Sequence, residues 1–394
     1  MIKYLFPTDW IKYDSNRIIE NLTKARSAVL SLINIPYQRS WVDRLQMMQL
    51  KREVAGTSRI EGADFTDKEL EAAMSETPEQ LFTRSQKQAK AATSTYRWIQ
   101  ELPRDRPIDA NLIFTIHKLL ITGADDDHCP PGALRSNGEN VQFGSPLHRG
   151  AEGGEECERA FNELCRALNQ EFKGHNELVQ ALAFHYHFAA MHPFHDGNGR
   201  TARALEALML QRIGLRDSLF ITMSNYYYEE KANYLNTLAA VRAQSHDLTE
   251  FLIFGLKGIE LQCNKLFEEI KKNVLKALFT NIMHDLFNRM KNKRKSIIAK
   301  RQIVLLELLL EKERYELSKI VKETSSAYRE MKSPYPALIR DLNGLIGLGA
   351  IFANKIEKTE DYLINIKLEW PTKITESDFF KSIKNMPKRK TLAI

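Results

Sequence analysis

Apolar positions recur at helical spacing through most of the chain and alternate at strand spacing only in short pieces. Ile18, Leu22, Ala25, Val29, Leu32 and Ile33 share one face, which predicts one or two amphipathic helices over residues 13–50, broken at Pro36. Thr66-Asp67-Lys68-Glu69 has the spacing of a capping box, so a fresh helix is expected there, reaching about residue 74. Further helices are expected over 84–101, 108–122 and 155–172. Leu178–Phe188 is a periodic apolar stretch that reads as a buried helix, and Ala204–Leu210 is a second helical stretch, followed by a helical region over about 226–245. Ser136-Asn137-Gly138 is a strong turn signal, and the short run after it alternates like an edge strand.

Beyond residue 260 the pattern changes. Residues 297–312 are strongly helical, and Tyr315–Val321 opens a short second helix. Ser333-Pro334 places a capping hydroxyl before a proline at the first helical position, which predicts a third helix through about Ile346. Leu348–Phe352 and the alternating Tyr362–Ile366 then make a hairpin. Three helices and a hairpin resemble a winged helix-turn-helix, although residues 322–332 are longer than a compact helix-turn-helix needs. The fold class expected is mostly α, with a short β-hairpin and a C-terminal winged-helix-like α+β domain. The expected divisions are a helical extension over 1–105, a core over 106–260, a helical linker over 261–296, the winged-helix-like domain over 297–370 and a basic tail over 371–394.

Composition changes this picture little. The 394 residues are 43% hydrophobic and 27% charged, enough for two or three domains with a sizeable core. The opening residues do not read as a signal peptide, and no apolar run approaches the roughly 20 residues that span a bilayer, so a cytoplasmic protein without a membrane partner is expected. Cys129, Cys157, Cys165 and Cys263 show no metal-ligand spacing and no disulfide framework. The net charge of +7 is concentrated in a basic run at 289–301 and in Lys388-Arg389-Lys390. Within the expected recognition helix, 333–347, Arg340 is the lone base and Asp341 stands beside it, so a DNA partner and a protein partner for this domain both stay open, as does a homodimer. Asp125-Asp126-Asp127 reads as a solvated acidic loop.

Residues 192–203, His-Pro-Phe-His-Asp-Gly-Asn-Gly-Arg-Thr-Ala-Arg, lie at the junction of the buried helix and the next one. Gly197 and Gly199 let the backbone approach an anion, and free amides at a helix start point at it. Arg200 and Arg203, three apart, project from the first turn toward one region and match phosphates bidentately. Asp196 needs a cation between itself and a phosphate, so it reads as a ligand for a divalent metal, magnesium preferred. His192 is the candidate base. Phe194 is expected to turn inward, and His195 to point away from the phosphates.

That run resembles the active-site motif of the Fic (filamentation induced by cAMP) domain family, and the resemblance covers roughly residues 15–260. It implies transfer of AMP from ATP to a Ser, Thr or Tyr hydroxyl of a target protein, with release of pyrophosphate. On this resemblance His192 deprotonates the hydroxyl and Asp196 holds Mg2+. Gly197, Asn198, Gly199 and Arg200 make phosphate and anion-hole contacts, and Arg203 holds the γ-phosphate. Thr57-Ser58-Arg59-Ile60-Glu61-Gly62 resembles the family's inhibitory helix, which implies that Glu61 pairs with Arg203 and blocks productive ATP placement. Pro131–Arg135 and Glu139–Gly144 resemble the flap, so Val141, Gln142 and Phe143 are implied to hold the target segment. Ser224, Tyr227 and Tyr234 fall where family members line the adenine pocket, although Tyr234-Leu235 stands where a Tyr-Tyr pair is common and Ala189 where a glutamate often precedes the motif. Two other functions stay open: a nucleotide-sensing regulatory or DNA- or protein-binding module, and an enzyme that removes AMP using Glu61.

Overall fold

The carboxylate of Asp14 accepts from the amides of Asn16 and Arg17 and so opens the first long helix, α1 (Ser15–Asn34). It stops at Ile35, where the following proline disfavours helical backbone. The next helix, α2 (Val42–Ile60), ends at Glu61. The expected capping box is present: Thr66 N donates to Glu69 Oε2 at 2.7 Å and Glu69 N to Thr66 Oγ1 at 3.3 Å, ahead of α3 (Asp67–Ser75). A second box, from Thr83 and Gln86, starts α4 (Arg84–Glu101), and Asp109 caps α5 (Ala110–Ile121).

This computed structural model describes the chain except residues 37, 76–79, 216–218, 291–292, 358, 360, 385–390 and 393–394, and only the backbone at 293–295 and 383–384. The basic triplet 388–390 and the centre of the run 289–301 therefore lie outside the described side chains. The chain divides into two units, Met1–Phe267 and Glu268–Ile394.

In the first unit the remaining helices are α6 (Glu155–Asn169), α7 (Glu177–Met191), α8 (Asn198–Gln211), α9 (Met223–Glu229), α10 (Lys231–Ala243) and the start of α11 (Thr249–Asn288). All of α7 from Leu178 to Met191 is buried except Gln180, as its apolar composition requires. It packs against α8, with α5 on α8 and α6 on α7. Gly56 lets α2 reach the backbone of α9: a Cβ there would sit 2.4 Å from the carbonyl carbon of Ser224. A small sheet of three two-residue strands has the order β1 (Ile2–Lys3), β3 (His148–Arg149), β2 (Gln142–Phe143). Strand β2 lies in the run expected to form an edge strand after Ser136-Asn137-Gly138, but it pairs across a turn at 144–147 with β3, in a stretch without a strand signal, with Phe143 opposite His148 and β2 at the edge. The two-residue parallel strand β1 comes from the start of the segment expected to be a helical extension.

The second unit continues α11 past residue 267, through most of the expected linker, and then runs α12 (Lys293–Lys312), β4 (Arg314–Glu316), α13 (Leu317–Glu323), α14 (Ser325–Tyr328), α15 (Pro334–Gly347), β5 (Ile351–Lys355), β6 (Tyr362–Ile366), α16 (Trp370–Lys373) and α17 (Glu376–Lys384). Its antiparallel sheet has the order β4-β6-β5. Tyr315 lies in β4 opposite Ile364, so the short helix begins at Leu317 rather than at 315; a buried tyrosine in the sheet outweighs local helical spacing. The long stretch 322–332 holds α14. Asp341 is no surface neighbour of Arg340: it is buried, accepting from Arg301 Nε at 2.7 Å and from the Tyr328 hydroxyl at 3.0 Å. None of the described helices is long and apolar enough to cross a membrane.

Candidate active site

His192 closes the C-terminus of α7 in the left-handed region, φ 53° and ψ 61°, which turns its half-buried side chain out of the helix. Its Nδ1 donates to the Ala189 carbonyl at 2.7 Å, and this sets the tautomer: Nε2 keeps its lone pair. Burial, with the Ala189 carbonyl opposing it and the Arg242 and Arg135 charges assisting, pulls the imidazole down to about 4, so the ring is neutral near pH 7. The Phe143 ring of the flap stacks on it at 3.8 Å with an interplanar angle of 10°.

Arg135 went without a role in the sequence, beyond ending the Pro131–Arg135 segment. It is buried and donates to three carbonyls: His192 at 2.9 Å, Glu139 at 2.6 Å and Ala151 at 2.5 Å. It thereby ties the His192 backbone to the segments on either side of β2. His195 faces the flap turn, pairing with Glu139 at 2.9 Å, away from the arginines of the motif.

Phe194 does turn inward, stacking on the His117 ring at 3.6 Å. Asn198 is spent on the same loop: its Oδ1 accepts from Phe194 N at 2.8 Å and its Nδ2 donates to Phe194 O at 2.9 Å, inside the core. The Asn198 side chain therefore fastens the loop, and what it leaves for an anion is its main-chain amide at the start of α8. Gly197 adopts φ 72°, where a Cβ would meet Ile121 Cδ1 at 2.7 Å, and donates its amide to Asp196 Oδ1 at 2.6 Å. The first-turn amides of α8, Gly199 among them, have no partner within the helix, the arrangement that suits an anion.

Of the acidic loop, Asp126 and Asp127 are exposed as expected, and Asp125 departs from the expectation. Asp125 is buried, not solvated, and takes Arg200 Nη1 at 2.5 Å, Arg84 Nε at 2.6 Å and Gln88 at 3.0 Å. Burial alone raises its pKa, but Arg200 above all outweighs that and lowers it. Asp196 Oδ2 lies 3.1 Å from His128 Nε2 and 3.4 Å from both Arg84 and Arg200. Ligand atoms of Asp125, His128 and Asp196 all lie within 4.8 Å of one another. Two carboxylate oxygens and an imidazole nitrogen are a donor set that fits a divalent cation, although Arg84 and Arg200 already offset the carboxylates.

Arg203 is buried against the end of α2. Its Nε donates to Thr57 Oγ1 at 2.9 Å, and its Nη2 to Thr57 O at 3.3 Å and Glu61 Oε1 at 2.5 Å. Burial raises the Glu61 carboxyl, but Arg203 and then Arg200 overcome this and hold it below its ordinary value. Gly199 makes room: a Cβ there would be 2.6 Å from Glu61 Oε1 and 3.0 Å from Arg203 Nη1.

Ser224, Tyr227 and Tyr234 have internal partners. All three are buried: Ser224 donates to Glu53, Tyr227 to Glu206 at 2.8 Å, and the Tyr234 hydroxyl lies 2.8 Å from His185 Nε2. The two tyrosine rings stack at 4.4 Å. Their polar atoms serve internal partners, so the expected contact with a nucleotide base has no polar atom from these three in this structure.

Residues 107–210 match the model of the Fic/DOC family. Among solved structures, the chain is similar to a Fic family protein from Desulfovibrio desulfuricans G20, 18% identical with a TM-score of 0.57, over 91% of this chain and 98% of that one. It is also similar to Fic-1 from C. elegans, 19% identical with a TM-score of 0.53, over 65% of this chain and 74% of that one. At these identities the likeness is one of fold. The chain contains a Fic/DOC family domain, and its helical core has that fold.

Proposed function

We propose that this chain is a protein adenylyltransferase that moves AMP from ATP to a hydroxyl of a target protein, releasing pyrophosphate, and that Glu61 restrains it. The observation that carries the reading is one run, residues 192–203, that holds a neutral imidazole bonded through Nδ1 at one end and Arg203, taken by Glu61, at the other. His192 Nε2 accepts the proton of the target hydroxyl as the oxygen bonds to the α-phosphorus, and the electron pair of the broken P–O bond leaves with pyrophosphate. Arg200, Arg203 and the first-turn amides of α8 face the phosphate charge. A divalent cation held by Asp196, with Asp125 and His128 close by, would offset phosphate charge. The free edge of β2 suits a target segment in extended form, bound through its main chain.

The test is incubation of the full chain with ATP labelled at the α-phosphate and Mg2+, comparing wild type, His192→Ala, Glu61→Gly and the double variant. Loss of a general base costs roughly 10²- to 10⁴-fold. Labelling by Glu61→Gly that vanishes in the double variant supports the reading. Equal labelling with and without His192 overturns it.

A further inference from the structure

The base does not stand open to a target. Phe143 lies flat on the His192 ring, and the guanidinium carbon of Arg242, in the last turn of α10, lies 5.0 Å from the centroid of the same phenyl ring. A Cβ on Gly144 would be 3.6 Å from Arg242 Nη2, so this guanidinium follows two consecutive residues of the flap. Its Nε is buried with no hydrogen-bond partner among the described residues, and the aromatic ring is what it meets instead. Arg135 anchors the segments on either side of β2, but β2 itself has two residues, one neighbouring strand and the Gly150 N to Val141 O bond at 3.2 Å. Phe143 is half-buried and stands outside the buried core.

We propose that Phe143 and Arg242 form a cap over His192, with Phe143 shielding the imidazole until a target segment displaces it and Arg242 acting as the positioning residue that holds the cap and repels a proton from the ring. This rests on the reading of His192 as the base, and it adds a second restraint. Glu61 occupies the arginine that ATP needs, whereas the cap covers the group that the hydroxyl needs.

Both parts of the cap push the imidazole the same way. A ring stacked on an apolar face loses water that the cationic form needs most, and a nearby guanidinium opposes a second positive charge. The other charged or titratable groups facing His192 are Arg135, from the loop before the flap, and Glu61, from the end of α2; His148 lies across the small sheet, against Phe143. Arg135 works with Arg242 and Glu61 against it, and burial dominates. The base is thus held neutral before a target arrives, and the target contributes the contacts that move Phe143.

The test needs no nucleotide. The full chain is treated with diethyl pyrocarbonate, which modifies neutral imidazole, and the His192 peptide is followed by mass spectrometry across pH. Wild type is expected to react slowly at neutral pH and to keep that rate down to about pH 5, because its ring stays neutral to about 4. Phe143→Ala should react roughly tenfold faster, the protection given by a cap that opens about one time in ten. Its reactivity should then fall through a midpoint displaced toward the ordinary imidazole value of about 6.5. Arg242→Met should raise the midpoint, and Arg242→Lys should restore it. Phe143→Leu keeps apolar volume without the flat face and should lie between wild type and alanine, which covers the case in which the alanine variant does not fold. Unchanged rate and midpoint in the folded Phe143 variants overturn the cap, and an unchanged midpoint in Arg242→Met removes Arg242 from it. A chain that never transfers AMP can still show the cap, and a transferase without the cap labels its target with the His192 rate unaltered, so the two readings fail separately.

Discussion

On the proposed reading Glu61 and His192 act on different partners of one reaction, and substitutions at each should separate them. Charge-assisted pairs are about twice as strong as neutral hydrogen bonds, and truncating one member of a buried pair costs about 2–5 kcal/mol. The Glu61 side chain is 35% exposed, so water screens its pair with Arg203 and only part of that range applies. Glu61→Gly is therefore expected to raise AMP labelling by roughly ten- to a hundredfold, at about 1.4 kcal/mol per decade. Labelling at the wild-type level with a verified target would remove the inhibitory role. For His192 the sign follows from its lowered pKa. The base works when unprotonated, so kcat/KM of the Glu61→Gly protein should stay level as pH falls from about 8 to 5 and decline only through about 4. A decline centred near 6.5, the value of an exposed imidazole, would contradict the environment drawn for it.

At the scale of elements, α2 carries Glu61 and Thr57 while packing against α9 through Gly56. A methyl at Gly56 has to push the Ser224 backbone, which cannot yield as a flexible side chain does. Gly56→Ala is expected to cost about 1–3 kcal/mol of stability, as overpacking does. It should also move the end of α2 and raise labelling toward the Glu61→Gly level. A variant with an unchanged melting temperature and unchanged labelling would show that α2 is not held this closely. The sequence exposed the long helices because a face repeated over several turns is a signal many residues share. The strands β1 and β4, of two and three residues, carry no such period, and both form by pairing with partners far along the chain. The same distance hid Asp125, whose neighbours Arg84 and Arg200 come from α4 and α8. The run 192–203 marked His192 and Arg203 by its unusual composition, and the pairing of Glu61 with Arg203 was expected only from the resemblance of residues 57–62 to an inhibitory helix. The fates of Asn198 and Tyr227 were not legible, since a polar side chain looks alike in sequence whether it meets a ligand or a buried carboxylate.

For the whole molecule, the question left by the sequence is what the second unit does with its helices and sheet. Residues Ala337, Leu338, Ile339, Asp341, Leu342, Asn343, Gly344 and Leu345 of α15 are buried in that unit, and Asp341 is locked to Arg301. Tyr335, Pro336 and Arg340 are exposed, so this helix offers a single cation and few hydrogen-bonding groups to base edges. Reading a duplex takes several such contacts, each good bidentate pair worth about 1–3 kcal/mol of discrimination. The net charge of +7 can still attract phosphates without reading sequence. The full chain is therefore expected to bind duplex DNA, where it binds at all, without sequence preference and with affinity that falls as salt rises. Arg340→Ala should change that affinity little, because one cation among many contributes little to the salt slope. A gel-shift series across salt and across unrelated duplexes checks this. Strong preference for one sequence, abolished by Arg340→Ala, would mean that α15 is used for readout despite its burial.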